Sequence, residues 1–219
     1  MEPEPSARWR RRKEARPGEI LDAALDCFAE RGFAATRLED VAARAGVTKG
    51  TAYLYFKSKE ELFQAVVRAF AVPAVEHLEA VAGEPGSTPE RLERVVTAWV
   101  EGVYGGRIGA LPKLMVAEAG NFPDLARFYL DEVVHRVLRL IRGILRLGID
   151  RGEVREVDVE QAAFCVIAPL LAANLLKHSL GREGSLPIDA AALARCHVDL
   201  LLRGLRPDSP TSFGRDRGE

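Results

Sequence analysis

The stretch VAARAGVTKGTAYLYFKSKEEL, residues 41–62, interrupts an Ala- and Leu-rich helical chain with Gly46 and Gly50, then sets Tyr53, Tyr55 and Phe56 within four positions. Gly46 suits the left-handed residue that follows a helix, Val47 suits a buried plug in the turn, and Thr48 suits the cap of a third helix reaching about Phe56. Upstream, Thr36 and Glu39 have the spacing of a capping box and open a helix that ends near Ala45. Downstream, Ser58 and Glu61 repeat that spacing and launch a long fourth helix past Phe70, with a kink expected near Pro73. Two short helices joined by Ala45-Gly46-Val47-Thr48 form a helix-turn-helix, an arrangement whose second helix enters the major groove of DNA.

Helical spacing turns Ala52 and Phe56 toward the preceding helices and leaves Thr48, Lys49, Gly50, Thr51, Tyr53 and Tyr55 at the end and flanks. Thr48 and Thr51 suit a base edge or a thymine methyl, and Lys49 suits guanine O6 and N7. Gly50 permits close backbone approach, and the tyrosines bring hydroxyl donors on stiff rings to phosphate oxygens. Lys59, at the start of the fourth helix, adds charge where a helix N-terminus already favours anions, and Thr36 and Arg37 are candidates for the opposite strand. The second and fourth helices carry Glu39 and Glu61 near their starts, whereas the third has Thr51, so its N-terminal dipole is expected to meet no competing carboxylate.

Outward from this core, Pro17 is a suitable first residue for helix one, roughly 17–31, with Ile20, Ala24, Leu25 and Phe28 on one face and Gly32 ending it. Residues 1–15 read as a flexible basic arm, with Arg8, Arg10, Arg11, Arg12 and Lys13, and Arg16 just beyond it, around Trp9. Further helices are expected near 89–104, 111–119, 123–151, 158–180 and 188–204, divided by GEPGST, YGGRIGA, GNFP, RGEVRE and GREGSLP. No strand-like alternation appears. The division is therefore an arm at 1–15, a helix-turn-helix domain at 16–66, a larger helical domain at 67–206 and a disordered tail at 207–219.

The segment 17–66, with ILDAALDCFAERGFAATRLEDVAARAGVTKGTAYLYFKSKEELF inside it, resembles the tetracycline-repressor-like (TetR) family of transcriptional regulators well beyond a generic helix-turn-helix. The resemblance implies a helix-turn-helix at about 37–56, with Lys49, Gly50, Thr51, Tyr53 and Tyr55 on the DNA and Lys59 on phosphate. Leu54 and Leu38 depart from residues that many or some members carry there. It further implies a twofold dimer and a small-molecule inducer whose binding respaces the DNA-reading heads.

The residues of the larger domain support both expectations. AAFCVIAPLLAANLL has no polar face until Asn174, and a helix of that kind needs cover on every side. The last two helices are therefore expected to pair with a second copy as a four-helix interface through Phe164, Ile167, Leu171, Leu175, Leu193, Leu200 and Leu201. Pairing matters because one short helix reads too few base pairs, and two-fold symmetry calls for a palindromic operator. Between these helices and the head, Trp99, Val103, Met115, Phe122 and Phe128 are candidates to line an apolar effector pocket with Glu118 as a polar handle.

Composition excludes other classes. Hydrophobic residues make up 47% and charged residues 29% with a net charge of −1, the profile of an ordinary globular protein. The apolar run Ala162 to Ala173 falls short of the ~20 residues of a membrane span. Cys27, Cys165 and Cys196 lack metal-site or disulfide spacing, so reduced thiols in the cytoplasm are expected, with thiol sensing at Cys165 and Cys196 a minor alternative. His77, His135, His178 and His197 have no i,i+4 partner, and no GxSxG, P-loop or HExxH is present, so no metal, cofactor or catalytic site is expected. The expected protein is an all-helical cytoplasmic homodimer that represses transcription at a palindromic operator and is released by a small organic effector. A helical carrier or enzyme using the helix-turn-helix as scaffold, and an activator of the same fold, are the alternatives.

Overall fold

Pro17 does not open the first helix. A computed structural model describes residues 7–180 and 188–207, the first ten for backbone only, and α1 runs Ala7–Ala35 with Pro17 inside it. Part of the stretch read as an arm is thus helical backbone; residues 1–6 and the tail from 208 lie outside the described residues. Gly32 adopts φ 81° and ψ 169°, a left-handed conformation that costs glycine little and breaks the helical ladder where the sequence requires it.

Two short helices follow, α2 at Leu38–Arg44 and α3 at Lys49–Tyr55. Gly46 sits at φ 65°, and Val47 donates its N–H to the Ala42 carbonyl at 2.9 Å, so the turn closes as the glycine implies. α4, Lys59–Val66, is capped by the Ser58 hydroxyl and continues without a break through a π-helical turn, Val67–Ala71, into α5, Val72–Gly83. The kink expected at Pro73 takes this form because proline offers no N–H to a carbonyl four residues back, and the Val72 N–H bonds Val67 instead.

The remaining helices are α6 (Thr88–Trp99), α7 (Ala110–Glu118), α8 (Pro123–Tyr129), α9 (His135–Asp150), α10 (Val159–Leu180) and α11 (Ala190–Leu205). Further π-helical turns extend α6 through Tyr104 and join α8 to α9. Among the described residues there is no strand, as the absence of period-two alternation implied.

Burial falls into two clusters. The first joins Ile20, Leu25, Phe28, Val41, Leu62 and Phe63 of the N-terminal helices to Leu111, Leu114 and Leu125 of α7 and α8. Phe33 anchors it, packed edge-on against Phe63 and, at 4.6 Å between centroids, against Phe122. Each fully buried Leu, Ile or Phe here contributes roughly 1.5–3 kcal/mol, so the head is seated on α7 and α8 by a shared core. The second cluster holds Leu92 and Val96 of α6, Ile141 and Leu145 of α9, Val166 and Leu170 of α10, and Val198 of α11.

α10 has the length and apolarity of a membrane span, with a mean hydropathy of 1.7 over its most apolar window. Yet Ala163, Val166, Leu170 and Ala173 are packed into the body, and the buried Asn174 donates to the Gly109 carbonyl at 2.8 Å. One side of the helix is committed to the protein, and the other is an exposed apolar stripe.

Candidate functional site

Local chemistry sets the third helix. The Thr48 hydroxyl accepts the Thr51 N–H at 3.2 Å and lies 2.9 Å from the Thr51 hydroxyl, so both threonines are partly occupied in capping α3. Ala52 and Phe56 are buried, as their helical spacing requires, and they fix the helix against α1 and α2. What remains outward is Lys49, Gly50, Tyr53 and Leu54, the last two 41% and 77% exposed. Leu54 and Tyr53 thus lie open to solvent on a helix that packs through Ala52 and, just past its end, Phe56.

Three sequence expectations change here. Thr36 is buried, its hydroxyl donating to the carbonyls of Gly32 at 2.7 Å and Cys27 at 3.2 Å; it ties down the end of α1 and does not face a phosphate. The cap of α2 is Arg37, whose N–H donates to Asp40 at 3.3 Å, so the Thr36–Glu39 capping box does not form. Lys59 donates to the carbonyls of Phe33 at 2.7 Å and Ala34 at 3.0 Å and lies over the Phe33 ring. Its charge satisfies carbonyls freed at Gly32 instead of pointing to solvent. The Tyr55 ring is half-buried against the head core, while Arg37 is exposed at the start of α2.

Sequence reasoning missed Glu39. Released from the capping role, its carboxylate reaches Lys49 at 2.7 Å and accepts the Tyr53 hydroxyl at 3.4 Å. The hydrogen bond from Lys49 holds the Glu39 carboxyl below its ordinary range, and the same contact raises the Lys49 ammonium above its own. A carboxylate therefore does stand over the start of α3, supplied by the neighbouring helix. The signal was present in the sequence as Asp40, a better-placed partner for the α2 cap.

Behind the head lies an apolar cavity of about 330 Å³. Trp99 of α6 and Met115 of α7 line it, as expected. Val103 instead lines a smaller adjoining chamber of about 50 Å³, which shares Trp99 and Tyr129 with the first. Glu118, Phe122 and Phe128 lie outside both. Glu118 is buried, accepting the Ala34 N–H at 3.1 Å and the Asn121 amide at 3.4 Å; Phe122 stacks on Phe33, and Phe128 carries the Arg68 guanidinium at 4.9 Å. Glu118 and Phe122 join head to body, the place where helices of the two regions must meet.

Phe164, Ile167 and Leu171, assigned from sequence to a dimer face, line the cavity, with Phe164 exposed at its rim and Ile167 and Leu171 half-buried. A helix apolar all round gives no clue to which stripe faces which neighbour. The outward stripe of α10 comprises Cys165, Pro169, Ala172, Leu176 and Leu180, flanked on α11 by Cys196 and Leu200. Leu175, Leu193 and Leu201 are half-buried between these surfaces. His197 is buried and its Nε2 meets the Val166 carbonyl at 2.8 Å. Among the described residues no cluster of three or more His, Cys, Asp or Glu stands ready for a metal.

Comparison with known proteins points one way. Residues 20–66 match the family described as bacterial regulatory proteins, tetR family, and residues 82–195 match the tetracyclin repressor-like C-terminal domain. The fatty acid metabolism regulator protein of Bacillus subtilis is 30% identical over 153 residues, which cover 68% of this chain and 78% of that protein. The transcriptional repressor KstR2 of Rhodococcus jostii is 30% identical over 152 residues, 68% of this chain and 74% of its own. Among solved structures, the ketosteroid transcriptional regulator KstR2 of Mycobacterium tuberculosis superposes with a TM-score of 0.68 at 25% identity, covering 87% of this chain and 95% of that one. FadR of Bacillus subtilis, solved with stearoyl-CoA, superposes with a TM-score of 0.73 at 24% identity over 86% of this chain and 99% of its own.

Proposed function

The chain belongs to the TetR family of bacterial transcriptional regulators, and we propose that it is a cytoplasmic homodimeric repressor whose grip on a palindromic operator is released by an apolar effector. Residues 16–66 act as the DNA-reading head and 67–206 as the effector and dimer domain. Lys49, Gly50, Thr51, Tyr53 and Leu54 of α3 meet the major groove, and Arg37 meets the backbone at the start of α2. Dimerisation uses the outward stripe of α10 together with Leu200 of α11. Paired helices there remove large apolar side chains from water and set two heads about one DNA turn apart.

One observation carries the effector half of this reading: α7 is a wall of both the cavity and the head. Met115, Val116 and Ala119 line the cavity, Leu111 and Leu114 belong to the head core, and Glu118 accepts the Ala34 N–H. Just before α7, Arg107 reaches Asp22 and Asp26 of α1 at 2.8 and 2.7 Å. An occupant that displaces α7 cannot leave α1 where it was, because packed interfaces shift between discrete arrangements rather than deform smoothly. The names of the relatives, a fatty acid metabolism regulator and the repressor KstR2, agree with an apolar effector.

The test is to select bound sequences from a random duplex pool, then titrate the recovered complex with lipophilic compounds. A palindrome bound by two chains and released by at least one compound is the expected result. Failure to bind any duplex at low salt, where phosphate contacts are strongest, removes the regulator reading; a bound palindrome that no compound releases removes the effector half alone.

A further inference from the structure

The cavity's wall fixes the charge its occupant can carry. Neither the main cavity nor the adjoining chamber is lined by a Lys, Arg, His, Asp or Glu. The rim is apolar too, with Val116, Leu130 and Phe164 all exposed on it at 65, 42 and 54%. Two hydrogen-bonding groups stand in this wall, the Tyr129 hydroxyl and the Trp99 indole N–H. Both residues are more than nine-tenths buried, Tyr129 at 7% and Trp99 at 6% exposure, and both stand between the two chambers. Neither has a hydrogen-bond partner among the described residues, and burial alone pushes the Tyr129 phenol far above its ordinary range. A buried donor is paired in a native protein, with protein or with whatever fills the adjoining space.

We propose that the effector is an uncharged lipophile carrying one hydrogen-bond acceptor, a ketone or ester carbonyl, held by Tyr129 and Trp99 between the two chambers, and that free carboxylates are rejected. This rests on the effector reading given above and adds its chemical class. A carboxylate entering here leaves water and meets no cation, and two neutral donors do not offset that loss. A neutral carbonyl loses far less on entry and satisfies the two donors that the protein leaves open. The Trp99 and Tyr129 rings and the surrounding Val, Leu and Met side chains take the hydrocarbon remainder.

Isothermal titration of the full chain with a thirteen-carbon methyl ketone, the fatty acid of the same length and a hydrocarbon of that length separates the possibilities. The ketone is expected to bind at least about tenfold more tightly than the acid at pH 8, given the cost of an unpaired buried charge. Tyr129→Phe keeps the ring and removes only the hydroxyl, and is expected to weaken the ketone about fivefold while leaving a carbonyl-free hydrocarbon of equal length unchanged. If the acid binds as tightly as the ketone, the inference on charge is wrong while the effector reading stands. If none of these compounds, the hydrocarbon included, binds the wild-type chain, both fall together.

Discussion

The Lys49 ammonium is held 2.7 Å from the Glu39 carboxylate, and the same carboxylate oxygen accepts the Tyr53 hydroxyl. A residue of the α2 face thereby holds two of the groups that α3 offers to DNA. Both partners are well exposed, so the pair adds little to folding stability. Its effect falls on binding, where the carboxylate repels phosphate and competes for the lysine.

Glu39→Gln is therefore expected to raise affinity for random duplex several-fold at low salt and to steepen the salt dependence by about one phosphate contact, since Lys49 becomes free to neutralise one. Discrimination between the selected operator and random duplex should narrow. Fluorescence anisotropy across a salt series measures both slopes. Equal slopes for the two proteins would mean that Lys49 already leaves Glu39 on the duplex in the wild type, or meets phosphate in neither.

Leu54 makes the complementary case. It is 77% exposed, so Leu54→Ala removes almost no buried contact and should leave the stability within the roughly ±0.5 kcal/mol typical of surface changes. Operator affinity should nevertheless drop several-fold, because an apolar side chain on a groove-facing helix gains only when a base edge or a methyl covers it. Thermal melts and anisotropy on the same samples decide it: a loss of stability with affinity intact would place Leu54 in the fold and off the DNA.

The helix-turn-helix was legible because each device in it is local. Gly46, Val47 and Thr48 act within a few residues and stand where their spacing put them; Ser58 caps α4 through the Glu61 N–H, but the Glu61 carboxylate takes the Lys57 N–H, so that box forms only by half. Thr36 and Lys59 were misread because their partners are set by tertiary structure: carbonyls freed at Gly32 draw the Lys59 ammonium from 26 residues away in sequence. The cavity was half legible for the same reason. Trp99 and Met115 are large and apolar wherever they lie, but only packing decides that Phe122 faces Phe33 and that Phe164 faces the cavity.

Leu200 tests the dimer. It is 63% exposed on α11, so Leu200→Glu leaves the protomer core untouched but, at a self-pairing face, places two carboxylates where two leucines should meet. Sedimentation should shift from dimer toward monomer with the helical circular dichroism retained, and operator affinity should fall by more than about tenfold as the second head is lost. Were the mutant still dimeric, the interface would have to lie elsewhere than this stripe.

Glu118 joins the cavity helix to the head. Its carboxylate is buried, accepts the Ala34 N–H at 3.1 Å, and lies 3.4 Å from where a side chain on Gly32 would begin. Glu118→Ala leaves that N–H without its acceptor, which costs about 1–3 kcal/mol, and also cuts a direct tie between α7 and the end of α1. Glu118→Gln keeps an acceptor at nearly the same place and should recover most of the stability. The informative readout is the coupling. In the alanine variant the ratio of operator affinities without and with effector should shrink toward one, and in the glutamine variant it should persist. Reciprocity requires that operator DNA weaken effector binding by the same factor as effector weakens operator binding, so the ratio can be measured from either side. An alanine variant that is destabilised yet keeps the full ratio would mean that the signal crosses through the packed phenylalanines, Phe33 on Phe122, and not through the carboxylate.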